Sequence, residues 1–182
     1  AFLAIKNNDK IGLMIFSDKI EHYIPPKKGK SHVWNIIRTI LNFTPEGKGT
    51  NLNLPLQFLM KILKRKAVVF LISDFQATGY EKNLKLAKQR HNIIAITITD
   101  PRETALPDVG LIQLQDAETG EIILIDTSSG NLPERFAELA KIGQVSLKKI
   151  FGSIGVDVIE IFSDRSLVNP IIQYFKKKEK RR

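Results

Sequence analysis

One apolar run followed by a polar pair constrains the fold of this chain more than any other feature. Residues 67–72 are uncharged and mostly β-branched or aromatic, and they follow the basic run Lys64-Arg65-Lys66. Six such residues in a row predict a strand that is buried on both faces of a sheet. Ser73-Asp74 stands where that strand must end. Ligands of open α/β sheets bind beyond the carboxyl ends of the strands, so its position makes Asp74 a candidate site residue.

Strand and helix patterns alternate along the rest of the chain. The predicted elements are a hairpin of strands 11–16 and 20–24 ended by Pro25-Pro26, a helix N-capped by Ser31, a helix over 52–63, a helix over 79–90 with Leu84, Leu86 and Ala87 inward, a strand over 92–99, a hairpin of strands 110–115 and 121–126, a helix over 133–151, a strand over 156–162 and a closing helix over 166–176. The order strand, helix, strand implies right-handed crossovers and a parallel sheet. Residues 1–5 resemble the last apolar turn of a helix, so we expect the gene product to extend further upstream.

The positive charge of the chain is concentrated at its end. The 182 residues have a formal net charge of +9, but residues 176–182 hold six of the 28 basic residues, and the rest carries only +4. We therefore predict one domain over 1–175 and a basic tail over 176–182, and we expect no nucleic-acid partner for the mildly basic body. The tail fits a solvated helix end, although such a run can also contact anionic lipid or nucleic acid.

Composition also excludes some chemistry. The chain has no cysteine, which rules out thiolate and disulfide chemistry and is typical of a reducing compartment such as the cytoplasm. No apolar run approaches the roughly 20 residues that span a bilayer, so we expect membrane contact only through segments outside this sequence. The three histidines are scattered without the spacing of zinc ligands, and we predict His91 to be solvated in the loop before a strand.

Taken alone, the residues leave the role of each candidate open. Asp74 is either a turn cap after a strand or a ligand, and Thr50 can cap the helix that follows it. Asp100 and Glu103 could act as paired carboxylates, but Asp-Pro-Arg-Glu after a strand is more simply a turn. The segment 47–50 has only a superficial likeness to a phosphate loop, because Lys48 precedes the second glycine instead of following it.

Seven phrases of the sequence resemble one bacterial family, known as domain of unknown function 58, in collinear order over about residues 1–175. The phrases are Gly12-Leu13-Met14-Ile15-Phe16-Ser17-Asp18, Tyr23-Ile24-Pro25-Pro26-Lys27-Lys28-Gly29, Gly49-Thr50-Asn51-Leu52, Leu71-Ile72-Ser73-Asp74-Phe75, Asp100-Pro101-Arg102-Glu103, Leu106-Pro107-Asp108-Val109-Gly110 and Asp116-Ala117-Glu118-Thr119-Gly120. That family is similar to the von Willebrand factor A-type domains. The resemblance implies an α/β fold of three layers, with a doubly wound, mostly parallel, Rossmann-like sheet and an inserted β-hairpin.

The resemblance also implies a metal-ion-dependent adhesion site at the top of the sheet. There, Mg²⁺ or Mn²⁺ is held by a D-x-S-x-S loop after the first strand, a Thr in a second loop and an Asp in a third. Thr50 matches the second-loop Thr and Asp74 the third-loop Asp, whereas the D-x-S-x-S loop and the first, central strand have no counterpart in this sequence. One hydroxyl and one carboxylate replace too little of the Mg²⁺ hydration shell, so we expect this chain to bind the metal weakly or not at all.

Three functional hypotheses follow. The first is a non-enzymatic protein-protein interaction module, in which a divalent ion held partly by Thr50 and Asp74 leaves one coordination position for a partner's carboxylate. The resemblance adds a MoxR-like AAA ATPase as the partner and protein assembly or maturation as the role. The second is a metal-assisted phosphoester hydrolase with Asp74 and Asp100 as ligands, which ranks lower because no base or nucleophile set is visible. The third is a scaffold whose unpaired strand edges are completed by another chain, giving a homo-oligomer.

Overall fold

Strands and helices alternate in the computed structural model, which describes residues 5–47, 49–101, 104, 109–115, 122–128 and 130–180. The elements are β1 (Ile11–Phe16), β2 (Ile20–Lys27), α1 (Lys30–Leu41), α2 (Asn53–Ile62), β3 (Val68–Ser73), α3 (Glu81–Arg90), β4 (Asn92–Thr99), β5 (Leu111–Gln115), β6 (Ile122–Asp126), α4 (Leu132–Ile154), β7 (Asp157–Phe162) and α5 (Val168–Glu179). The predicted mixed α/β class is confirmed. The chain divides into two compact units, Ala1–Leu59 and Met60–Arg182.

The first unit is built on the predicted hairpin, in which β1 pairs with β2 in antiparallel fashion. The prediction that Pro25-Pro26 ends β2 is wrong, because β2 continues to Lys27. A one-residue shift in the pairing register between Ile11 and Leu13 places both prolines in a bulge, where proline needs no ladder N–H.

Helix α1 follows the hairpin and buries Val33 and Ile36. The prediction of Ser31 as its N-cap is wrong. The N-cap is Gly29, which turns the chain at a φ of 106° and leaves Ser31 within the first turn. His32 of α1 fixes the helix to the hairpin, since its Nε2 lies 2.8 Å from the backbone oxygen of Ile11.

The second unit contains a parallel sheet in the order β3-β4-β7, as the alternation of elements predicted. Strand β4 is central and is buried on both faces, with Ile93 and Ala95 on one and Ile94 and Ile96 on the other. Helix α3 contacts β4, and α4 contacts β7. Helix α5 packs through Ile171 and Tyr174 against the cluster Ile94, Ile96, Ile159 and Ile161. The core therefore sits on and around β4.

The prediction that β3 is buried on both faces is wrong. Val68, Phe70 and Ile72 lie on one face of β3 and are 57%, 43% and 54% exposed, whereas Leu71 on the other face is buried. Strand β3 takes an edge position in the three-stranded sheet, and α5 covers mainly β4 and β7. Phe175 of α5 makes an edge contact with the ring of Phe70 on β3, at 6.2 Å between centroids.

Two further helix predictions need correction. In α3, Leu84 and Ala87 are buried as predicted, but Leu86 is exposed because it lies about 200° around the helix from Leu84. Helix α5 continues to Glu179, so part of the predicted basic tail is helical. Lys178 forms an ion pair with Asp157 at the start of β7, which ties this end of α5 to the sheet.

The second predicted hairpin is confirmed, with β5 and β6 paired in antiparallel fashion; its turn, 116–120, lies outside the described residues. Within the described ranges, none of the helices combines the length and the apolar character that crossing a bilayer requires.

Candidate functional site

The chain reverses direction beyond β3 through two interlocked side-chain turns. The amide of Phe75 donates to Ser73 Oγ at 3.1 Å, and the amide of Gln76 donates to Asp74 Oδ1 at 3.2 Å. Both bonds join a side chain to the backbone two residues on, which is how Ser and Asp commonly stabilise turns. The turn-cap interpretation of Asp74 is therefore confirmed, and it uses only one of the two carboxylate oxygens.

Phe75 holds this turn to the core in a backbone conformation that L residues rarely adopt. Its φ is 59°, yet its side chain is only 5% exposed. Its ring packs edge-on against Phe151 at 5.0 Å between centroids and also contacts Tyr80 at 6.0 Å. A left-handed conformation costs about 1–2 kcal/mol for such a residue, and burial of the aromatic ring supplies the compensation.

The arrangement leaves Asp74 exposed, with Oδ2 receiving no hydrogen bond from any described residue. Its neighbour Tyr80 is buried, and burial, with the charges of Glu81 and Asp74, raises the pKa of Tyr80 to about 12. A phenol with that pKa stays protonated at neutral pH, so Tyr80 cannot serve as a base there. Asp74 is the carboxyl group that this turn presents to solvent.

Asp100 lies at the same edge of the sheet as Asp74. In the parallel pairing Ser73 stands beside Thr97, and β4 ends at Thr99. Asp100 is three residues beyond Thr97, so it lies about 10 Å further along the strand direction than Ser73 does, at roughly 3.3 Å per residue. Arg102 and Glu103, which were predicted to complete this turn, lie outside the described residues.

Thr50 belongs to the first unit, on a loop that Glu21 holds in place. Glu21 Oε1 accepts hydrogen bonds from Ser17 Oγ and the Gly47 amide, both at 2.7 Å, and from the Glu46 amide at 3.2 Å. The bond from Gly47, and then that from Ser17, lower the pKa of Glu21 in spite of its burial. The carboxylate thus organises the loop that leads to Thr50.

Two further contacts fix the ends of that loop. A Cβ at Gly47 would overlap Ser17 Oγ and Asp18 Oδ1, so only glycine fits there. The amide of Asn51 donates to the backbone oxygen of Ser17 at 2.9 Å, directly after Thr50. Thr50 is exposed at this point. Because Thr50 and Asp74 belong to different units, their convergence on one metal ion stays a prediction.

Sequence reasoning missed three residues that shape these loops. Nothing in the sequence marked Glu21 as a loop anchor beyond its place in an alternating strand. Nothing marked Phe75 as a left-handed residue, because Gly or Asn usually occupies such turn positions. The prediction of a solvated His91 is wrong: it is 2% exposed. The amide of His91 closes α3 on the oxygen of Ala87 at 2.8 Å, and the chain enters β4 at the next residue.

The described residues offer few metal ligands. Among them, no group of three or more His, Cys, Asp or Glu side chains is placed to hold a metal ion. Asp74 and Thr50 provide oxygen donors of the type that Mg²⁺ prefers, but two donors fall well short of six. The residues present therefore fit part of such a site and do not make one by themselves.

A family profile described as "Protein of unknown function DUF58" matches residues 1–145. The chain belongs to this family. Two mycobacterial relatives, "Uncharacterized protein Rv1480" of Mycobacterium tuberculosis and "Uncharacterized protein Mb1516" of Mycobacterium bovis, are each 27% identical to it over 178 residues. The alignment covers 95% of this chain but 55% of each relative, so the chain spans about half their length.

Two other comparisons extend this finding. "Uncharacterized protein MAV169" of Mycobacterium avium is 28% identical over 160 residues, which covers 86% of this chain and 94% of that protein. The crystal structure of the conserved hypothetical protein BatB from Bacteroides thetaiotaomicron superposes with a TM-score of 0.56 at 16% identity, covering 95% of this chain and 80% of that one. This DUF58 chain is therefore similar in fold to BatB.

Proposed function

We propose that this chain is a non-enzymatic protein-protein interaction module that engages its partner at the exposed carboxylate of Asp74. The observation that carries the proposal is an exposed carboxyl side chain displayed on a turn that the core holds in place. Phe75 anchors the turn, while Asp74 Oδ2 receives no hydrogen bond from the described residues. A rigid, solvent-facing charged group loses little conformational entropy when it binds, which favours recognition.

A von Willebrand factor A-like arrangement would give this carboxylate a metal-dependent role. In the intact protein, Asp74 and Thr50 would each contribute one oxygen ligand to Mg²⁺ or Mn²⁺, and an upstream D-x-S-x-S loop would contribute the others. The bound ion would supply an open coordination position for a partner's carboxylate. This chain's own part is to hold Asp74 through its turn and Thr50 through the loop anchored by Glu21.

The proposed partner is a MoxR-like AAA ATPase, with a role in the assembly or maturation of other proteins. This part rests on the resemblance to other members of the family. The absence of catalysis is proposed because no set of base and nucleophile is visible in the sequence, and because Tyr80, which contacts Phe75 at this turn, has its pKa raised to about 12 and stays protonated at neutral pH.

Calorimetric titration of Mg²⁺ into the full-length protein tests the site. We expect Asp74→Asn to weaken Mg²⁺ binding about tenfold or more, since a lost charged ligand is worth at least about 1.4 kcal/mol. Asp164→Asn is the matched control, because Asp164 is another exposed aspartate beyond the end of a strand in the same unit. Equal Mg²⁺ affinities for the wild type and Asp74→Asn would remove Asp74 from any metal site.

A binding assay tests the partner. A MoxR-like ATPase from the same organism is immobilised, and capture of the full-length protein is measured with Mg²⁺ and with EDTA. We expect capture to need Mg²⁺ and to be lost in Asp74→Asn but kept in Asp164→Asn. Capture that is unaffected by both EDTA and Asp74→Asn would refute a partner contact at this carboxylate.

A further inference from the structure

A strongly basic cavity lies at the amino ends of β3 and β4, in the second unit. Its volume is about 450 Å³, and its charged lining consists of Lys61, Lys64, Arg65, Lys66 and Arg90. A second cavity of about 440 Å³ shares Lys61 and Arg90 with it. Strand β3 separates this end of the sheet from Asp74 by about 20 Å, at roughly 3.3 Å per residue. The cavity is therefore distinct from the turn at Asp74.

The positive charges around this cavity are not balanced by acidic side chains in its described lining. None of the residues that line either cavity is acidic, and none of the salt bridges among the described residues involves the five cations. Arg90 Nη1 donates to the backbone oxygen of Met60 at 3.4 Å, which holds the guanidinium at the cavity. Such a concentration of one sign of charge attracts and concentrates anions.

His91 gives a second, independent indication of a ligand. It lines the basic cavity, is 98% buried, and neither Nδ1 nor Nε2 has a hydrogen-bond partner in the described part of the chain. Buried polar atoms are nearly always paired, so two orphaned nitrogens on one ring call for an explanation. Burial, and then the charge of Arg90, lower the pKa of His91, so the ring is neutral and offers one N–H donor.

We propose that this cavity binds the phosphate group of an organic phosphate. Arg90 and the lysines neutralise the phosphate oxygens, and His91 donates its ring N–H to one of them. A phosphate carries more than one negative charge and several acceptor oxygens, and two of these oxygens can accept from one guanidinium. It therefore suits a site with five cations better than a single carboxylate does. Met60 and Leu63 line the same cavity and Leu86 the adjoining one, which gives the organic part an apolar surface.

The volume fits a small ligand, since such pockets measure about 300–1,000 Å³. The phosphate could belong to a soluble molecule or to the headgroup of an anionic phospholipid, and the two sources need separate probes. Pyrophosphate tests the first, by calorimetry. Vesicles of phosphatidylglycerol, compared with vesicles of phosphatidylcholine, test the second by co-sedimentation. Binding of either phosphate probe supports the proposal and identifies the source, and binding of neither overturns it.

Variants of the full-length protein locate the site. We expect Arg90→Gln and Lys61→Gln each to weaken binding of the phosphate probe about tenfold, the effect of one charged hydrogen bond. Lys85→Gln is the matched control, because Lys85 is an exposed lysine of α3 that lines neither cavity. If Lys85→Gln weakens binding as much as Arg90→Gln does, binding reflects net charge and the proposal is wrong.

His91→Phe separates a ligand contact from simple burial. The phenyl ring keeps the bulk but removes both nitrogens, so we expect weaker binding of the phosphate probe in a protein with an unchanged or higher melting temperature. Unchanged binding would overturn the role of His91 and, with it, the proposed site. Asp74→Asn should leave the phosphate affinity unaltered, which keeps this test separate from that of the proposed function.

Discussion

Substitutions at Phe75 can separate the strain of its backbone from the burial of its ring. Phe75→Ala removes a ring that is 5% exposed and in contact with Phe151 and Tyr80, which costs about 3–5 kcal/mol. It leaves a Cβ in the left-handed region at φ 59°, a strain of about 1–2 kcal/mol. Phe75→Gly removes the same ring and relieves that strain.

Phe75→Gly should therefore have a higher free energy of unfolding than Phe75→Ala, which reverses the usual order of glycine and alanine variants. Glycine loses about 0.5–1 kcal/mol more than alanine through the entropy of the unfolded chain. Subtracting this from the relieved strain leaves Phe75→Gly more stable than Phe75→Ala by about 0.75 kcal/mol, within a span of about 0–1.5 kcal/mol. Urea unfolding followed by circular dichroism measures both free energies of unfolding.

Leu71 provides the matched control pair. It is buried on β3, where the backbone is extended and glycine has no advantage. We expect Leu71→Gly to be less stable than Leu71→Ala by about 0.5–1 kcal/mol. If the Phe75 pair shows the same order as the Leu71 pair, a strained turn at Phe75 is refuted, and with it the argument that the core holds Asp74 rigidly.

Two further predictions concern the second unit. Burial alone would raise the pKa of Asp157. The hydrogen bonds that Lys178 and Tyr174 donate to its carboxylate outweigh burial and hold this pKa below its usual value. The stabilisation by ionised Asp157 is therefore complete above about pH 4 and is lost as the pH falls through the lower folded-state pKa. Asp157→Asn should lower the melting temperature at pH 7 by the equivalent of about 0.5–1 kcal/mol, and this deficit should shrink as the pH is lowered below about 4. A deficit that does not change with pH would contradict this. The exposed apolar edge strand β3 favours pairing with another copy of the chain. Phe70→Lys should therefore weaken self-association measured by sedimentation velocity, whereas Leu139→Lys, at an exposed apolar residue of α4, should not. A wild type that stays monomeric at high concentration would exclude this association.

Much of the fold was predictable because its signals are local. The alternation around Ser17-Asp18-Lys19 and the β-branched run over 92–99 correctly predicted the first hairpin and a parallel strand. The position of Asp74 just beyond the end of β3 was predicted for the same reason, since a polar residue after an apolar run marks a strand end; of the two roles left open for it, the structure shows the turn cap, and the metal-ligand role stays a prediction. The boundaries of the helices were less certain, because the cap at Gly29 depends on backbone conformation.

The candidate site was less predictable because its support comes from residues distant in sequence. Glu21 organises a loop 26 residues further on, through a hydrogen bond from Gly47. Phe75 keeps its left-handed backbone because Phe151, on α4, packs against its ring. No pattern within either segment indicates these contacts.

The sequence by itself determined which segments became strands, helices and turns, and it placed Asp74 at the carboxyl end of β3, because periodicity and turn chemistry act over a few residues. Only the tertiary structure decided which faces were covered. The apolar run of β3 kept an exposed side because α5 covers its neighbours, and His91 is buried although it lies at the junction of α3 and β4, where a loop residue was expected to be solvated. Burial is a property of what packs against a residue, and those neighbours come from elsewhere in the chain.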